Sequence, residues 1–108
     1  MPSAEAPPPP VADNRWVFLT GGSRGIGRAV VRRLCEAGFD VAFTYAHSEA
    51  PAAALAEECR ALGVRCTAHR CDVSQADVVD ALAKDLVDRH GGPYGVINNA
   101  GRAMDAVM

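Results

Sequence analysis

Apolar positions along this chain fall into short continuous runs separated by helical stripes. The first run is Arg15-Trp16-Val17-Phe18-Leu19-Thr20. Unbroken apolar character over so few residues predicts a strand buried on both faces of a parallel sheet. A helix is predicted from Gly25 to Ala37, with Ile26, Val30 and Leu34 along its buried face and Ala29 between them. Arg28, Arg32 and Glu36 fall on the outward side, and Gly38 suits the left-handed residue that ends a helix. Asp40 to Tyr45 reads as a second strand. Pro51 fits the first turn of a second helix, which carries Leu55, Cys59 and Leu62 at i, i+4 and i+7 and stops at Gly63.

Val64 to Arg70 reads as a third strand, although Arg65, His69 and Arg70 interrupt its alternation. Ser74 and Asp77 have the S-x-x-D spacing of a capped helix start. The helix that follows has Val78, Leu82 and Leu86 on one face, Val79 and Ala83 beside them, and His90-Gly91-Gly92-Pro93 to end it. Tyr94 to Ile97 is a short fourth strand. The order is β-α-β-α-β-α-β. Such alternation implies right-handed crossovers and an α/β fold, a Rossmann-like parallel sheet of four strands with helices on both faces.

Composition narrows the function classes. The 108 residues suffice for one domain with a modest core, and a net charge of −2 argues against a nucleic-acid partner. No apolar run approaches the length of a membrane span, and the first six residues have neither the basic nor the apolar region of a secretory signal. Residues 1–14, with four consecutive prolines at Pro7 to Pro10, read as a disordered tail ahead of a domain spanning 15–108. Cys35, Cys59, Cys66 and Cys71 form no C-x-x-C pair. They read as buried, reduced thiols, which suits a cytoplasmic protein. His69 and Cys71 lack a second ligand pair at zinc spacing, so no metal site is expected.

The candidate chemistry lies in the turn after the first strand, Thr20-Gly21-Gly22-Ser23-Arg24-Gly25-Ile26-Gly27. Glycines let a backbone turn sharply and approach a ligand, and the following helix offers unpaired N–H groups to an anion. Gly22 and Gly27 have the glycine spacing of a P-loop, but Arg28 and Ala29 stand where the lysine and hydroxyl are needed. The turn therefore argues against a triphosphatase. In a dinucleotide site, Gly21 makes the turn, Gly25 lets the backbone reach a pyrophosphate, and Gly27 lets the helix pack on the sheet. An NAD site places an acid at the end of the second strand. Here that segment is Thr44-Tyr45-Ala46-His47-Ser48, without a carboxylate. Arg24 sits inside the turn, where it would face an adenosine 2′-phosphate; a solvated surface arginine is the other reading. Together these features favour NADP(H).

With a second motif, Asn98-Asn99-Ala100-Gly101 after the fourth strand, the chain resembles the short-chain dehydrogenase/reductase family over residues 15–108. Within the family it is most similar to the 3-oxoacyl-(acyl-carrier-protein) reductases and acetoacetyl-CoA reductases. Asp105 matches a position commonly acidic in that subgroup, whereas Arg102-Ala103-Met104 departs from its usual Ile-Thr-Arg. The resemblance implies that Gly21, Ser23, Arg24 and Ile26 contact the cofactor phosphates and that Tyr45 borders the cofactor. It implies that Asp72 and Val73 read the adenine and that Asn99, Ala100 and Gly101 line the nicotinamide ribose. Asn98 and Asn99 also admit a structural reading, tying neighbouring strands together.

The family's catalytic tyrosine and lysine stand four residues apart. Tyr45 and Tyr94 are followed at that distance by Glu49 and Asn98, and Lys84 is the single lysine. The resemblance places the catalytic set beyond Met108. It implies a reductase of 3-oxoacyl thioesters, homo-oligomeric when complete, of which these residues are the cofactor-binding part. A non-catalytic NADP-binding or interaction module completed by a partner chain is the alternative, and a truncated reading frame without independent function is a third.

Overall fold

The computed structural model describes residues 15–23 and 25–99. Four parallel strands, β1 (Trp16–Thr20), β2 (Asp40–Tyr45), β3 (Cys66–Arg70) and β4 (Gly95–Asn98), form one sheet in the order β3-β2-β1-β4. Helices α1 (Gly25–Glu36), α2 (Glu49–Arg60) and α3 (Ala76–His90) connect them. The expected architecture is therefore present, and every strand pair is parallel.

Alternation along the strands divides the core between two faces. Leu19, Val41 and Phe43 pack with Val31 and Cys35 of α1 and with Ala52, Leu55, Ala56 and Cys59 of α2. Trp16, Phe18 and Ala42 point to the other face, where Leu86, Val79, Leu82 and Ala83 of α3 cover them. The first face holds most of the fully buried side chains, including Phe43, Leu19 and Leu55. At about 1.5–3 kcal/mol for each large apolar side chain removed from water, this is the principal source of cohesion.

The helix faces depart from the sequence pattern. In α1 the buried residues are Gly27, Val31 and Cys35, not Ile26, Val30 and Leu34. Val30 and Leu34 are half-buried and Ile26 is 76 % exposed. The phase of the helix is set where Gly27 meets the turn below it. Arg28 and Arg32 do lie outward, and both reach Glu58 of α2, at 3.3 and 2.9 Å.

Helix α2 ends at Arg60, so Leu62 lies beyond it and is exposed. Strand β3 starts at Cys66 rather than Val64. The expected Ser74–Asp77 cap is absent: α3 starts at Ala76 with Gln75 at its N-cap and no side-chain cap bond. Asp72 captures Ser74 instead, accepting from its N–H at 3.0 Å and its Oγ–H at 2.7 Å. Such a local side-chain-to-backbone turn competes with helix initiation and delays it by one residue. Val78 is exposed, because the face of α3 on the sheet is Val79, Leu82, Ala83 and Leu86.

Candidate functional site

The chain runs from β1 outward through β2 to β3, then crosses back to place β4 on the other side of β1. A reversal of this kind leaves a crevice outside the carboxyl ends of the strands, the usual ligand position in open α/β sheets. A cavity of about 540 Å³ lies there. Its walls come from the turn after β1 (Gly21, Ser23, Gly25), the end of β2 (Thr44 to Ser48), the segment after β3 (Cys71, Val73) and Asn99 after β4.

Hydrogen bonds fix the turn from both sides. Thr44 accepts from the Gly21 N–H through its Oγ1 at 3.0 Å, and its carbonyl accepts from the Gly22 N–H at 3.0 Å. From the residue after β4, the Asn99 N–H donates to Thr20 Oγ1 at 3.1 Å and the Asn99 Nδ2 donates to the Gly21 carbonyl at 2.9 Å. Thr20 and Thr44 are both buried, and their hydroxyls replace water as partners for these backbone groups. Asn99 thus does have the strand-tying role, while also lining the cavity.

Glycines are required here for two different reasons. Gly21 and Gly25 have positive φ, at 77° and 60°, a conformation that favours glycine. Gly27 is required by space: a Cβ there would stand 2.0 Å from the Gly21 carbonyl oxygen and 2.5 Å from Asn99 Nδ2. Gly22 is also constrained by space, since its Cβ would meet Phe43 at 2.8 Å. That close approach to β2 had no sequence signal, because it depends on a contact between distant strands. Thr44 was missed as an organiser for the same reason: in sequence it reads as an ordinary strand residue.

The electrostatics favour an anion. No acidic residue stands in the first turn of α1, so its positive end is not neutralised by its own side chains. No Asp or Glu lines the cavity among the described residues, while His47, Ser48 and Ser23 offer donors. Asp72 stands nearby, exposed. Its bonds from Ser74, together with the charge of His47, hold its carboxyl below the usual range. It therefore stays ionised and keeps lone pairs for a further donor. Burial, then the charge of Asp72, pushes the Cys71 thiol up, which makes it a poor nucleophile.

Of the residues proposed from sequence, Gly21, Ser23, Gly25, Tyr45, Val73 and Asn99 come together around the cavity. Gly27 lies directly beneath the turn. Asp72 adjoins the wall between Cys71 and Val73. Ile26 is not in the wall but on the outer groove of α1 with Ala29, Val30, Arg33 and Leu34. Arg24, Ala100 and Gly101 lie outside the described residues, as does Asp105.

Comparison with known proteins agrees with this geometry. The family model described as short chain dehydrogenase matches residues 15–108. The chain is 38 % identical over 95 residues to the 3-oxoacyl-(acyl-carrier-protein) reductase FabG of Staphylococcus epidermidis, covering 88 % of this chain and 39 % of that protein. A short-chain dehydrogenase/reductase from Serratia marcescens superposes with a TM-score of 0.77 at 38 % identity, over 82 % of this chain and 36 % of that one. A metagenomic short-chain oxidoreductase solved in complex with NADP gives 0.76 at 35 % identity, over 82 % and 40 %. The chain spans about two fifths of the length of these proteins. The motifs after β1 and β4, the sheet they join and these likenesses place the chain in the short-chain dehydrogenase/reductase family.

Proposed function

We propose that this chain forms the cofactor-binding part of an NADP(H)-dependent short-chain reductase. The observation that carries the reading is the cavity at the strand reversal, floored by a glycine turn and free of carboxylates where β2 ends. Its volume falls in the range of small-molecule and cofactor sites. The residues fit a dinucleotide. The backbone at Gly25 leaves open space where a side chain would stand, and the α1 N-terminus beside it suits a pyrophosphate.

Tyr45 to Ser48 would border the adenosine ribose, with His47 and Ser48 as donors toward a 2′-phosphate. Asp72 would accept from the adenine amino group, and Val73 would cover the ring. Asn99 would hold the wall toward the nicotinamide. When bound, the nicotinamide supplies the hydride. Solved relatives in complex with NADP and NADPH support the choice of cofactor. The similarity to FabG supports a 3-oxoacyl thioester as the substrate of the complete protein, reduced to the 3-hydroxyacyl product.

Titration with NADPH and NADH, followed by nicotinamide fluorescence or calorimetry, tests the cofactor. NADPH is expected to bind at least tenfold more tightly, a difference of about 1.4 kcal/mol. Equal affinity, or preference for NADH, would refute it. NADPH consumption with an acetoacetyl thioester by the complete polypeptide tests the substrate. The second reading is a non-catalytic NADP-binding module covered by a partner chain. The exposure of Ile26 on α1 and Val96 on β4 favours it, and NADPH binding without thioester reduction would distinguish it.

A further inference from the structure

Away from the cleft, three thiols converge on the opposite side of the α1/α2 core. Cys35 comes from the last turn of α1, Cys59 from the last turn of α2 and Cys66 from the start of β3. Their Sγ atoms all lie within 4.8 Å of one another, and the three residues are 0–2 % exposed. The three sulfurs therefore share one neighbourhood in the core rather than lying apart among separate apolar side chains. Cys71, the fourth cysteine, is elsewhere, in the wall of the cleft.

Core packing alone requires only small apolar side chains at these positions. It does not require three sulfurs on three elements to face one point. We propose that Cys35, Cys59 and Cys66 form a three-coordinate thiolate site for a soft monovalent metal ion, Cu(I). The chemistry selects among metals. Thiolates favour soft ions. Structural zinc takes four ligands, and among the described residues no His, Cys, Asp or Glu joins the three as a fourth. The site is closed to water, which removes the solvent ligand that a harder cation would keep.

Each thiol that ligates as a thiolate releases one proton to solvent, and the metal changes no oxidation state. The charge left in the core is offset in part by the Cu(I) itself. Arg60 adds a guanidinium beside β3, donating to the Cys66 carbonyl at 2.8 Å. Because the ligands lie on three separate elements, the ion would cross-link α1, α2 and β3, and its binding energy would add to the stability of this half of the fold.

The test is anaerobic titration of the reduced protein with Cu(I), delivered as its acetonitrile complex against bicinchoninate as competitor. One Cu(I) per chain is expected, with X-ray absorption showing a shell of three sulfurs and a raised thermal midpoint. Cys59→Ala and Cys35→Ala should each weaken binding beyond the roughly 100-fold typical of an outer-shell change. Cys71→Ala should leave stoichiometry and affinity unchanged. Failure to compete with bicinchoninate would overturn the proposal. So would equal binding by the triad variants, or loss of binding in Cys71→Ala. If the triad variants fail to fold, the absorption spectrum of the wild-type protein decides: nitrogen or oxygen ligands on the bound copper overturn the site.

Discussion

Gly27→Ala sets two opposed effects against each other. On an exposed helix, replacing glycine with alanine stabilises by about 1 kcal/mol through helix propensity. Gly27 lies in the first turn of α1, but it is buried. The new Cβ would stand 2.0 Å from the Gly21 carbonyl oxygen and 2.5 Å from Asn99 Nδ2. The first obstacle is backbone held by Thr44, so it cannot swing aside as a long side chain would. Overpacking of this kind costs about 1–3 kcal/mol. Displacing Asn99 from Gly21 forfeits a hydrogen bond worth about 1 kcal/mol. The steric and hydrogen-bond losses prevail, leaving a net destabilisation of roughly 1–3 kcal/mol. Urea unfolding of the variant measures it, with Gly92→Ala as the control. Gly92 has open space around its position and should lose nothing. NADPH affinity should fall with stability in Gly27→Ala, because the atoms displaced form the floor of the cleft. A variant as stable as the wild type, or more so, would show that α1 does not press on the turn and would refute the account of its phase.

Ala46→Asp puts a carboxylate in the cavity wall at the end of β2; NADPH should bind at least about tenfold more weakly while NADH binding holds or improves, read by fluorescence titration of both. Leu55→Ala removes a fully buried side chain from the α1/α2 core and should cost about 2–5 kcal/mol in urea unfolding. Burial, then the charge of Arg89, lowers the His69 pKa below its usual 6.5. The unfolded chain then binds more protons at this site, so stability rises with pH up to about 6.5 and falls as the solution is acidified through that value and toward the lower folded pKa. His69→Gln should flatten that part of the pH profile of the urea midpoint, and an unchanged slope would exclude His69 as its source.

Much of the fold was legible because short apolar runs and glycine stops are local signals. Strand β2 was read to the residue, and the order of all seven elements follows from the alternation. The face of α1 was not legible. Ile26-Val30-Leu34 and Gly27-Val31-Cys35 are stripes one residue apart, and the first carries more apolar bulk. The second is buried because close approach of Gly27 to Gly21 sets the rotation of the helix, and glycine contributes nothing to a hydrophobic count. Ser74 departs from its cap pattern for a related reason: its partner Asp72 lies on the strand side of the junction. The cleft was legible where it is made of local motif, at Gly21, Ser23 and Gly25. It was illegible where strands far apart in sequence meet, as Thr44 does with Gly21.

That division has a physical consequence for the site. Its wall from β1 and β2 ends in Thr20 and Thr44, both buried, above a core containing Leu19, Phe43 and Leu55. Its wall from β4 belongs to an edge strand of the described sheet, in which Val96 is 55 % exposed. Asn99 joins the two walls by bonds to Thr20 and Gly21. Strands with little buried area open at lower free energy than those at the centre of a core. The glycine turn is therefore preorganised by the first two β-α units, and closure of the cleft depends on how firmly β4 stays paired to β1. A ligand touching both walls gains from that pairing and reinforces it, since binding favours the state in which the walls are joined. Contacts that cover β4 and the outer face of α1 would thus act on affinity without touching the ligand.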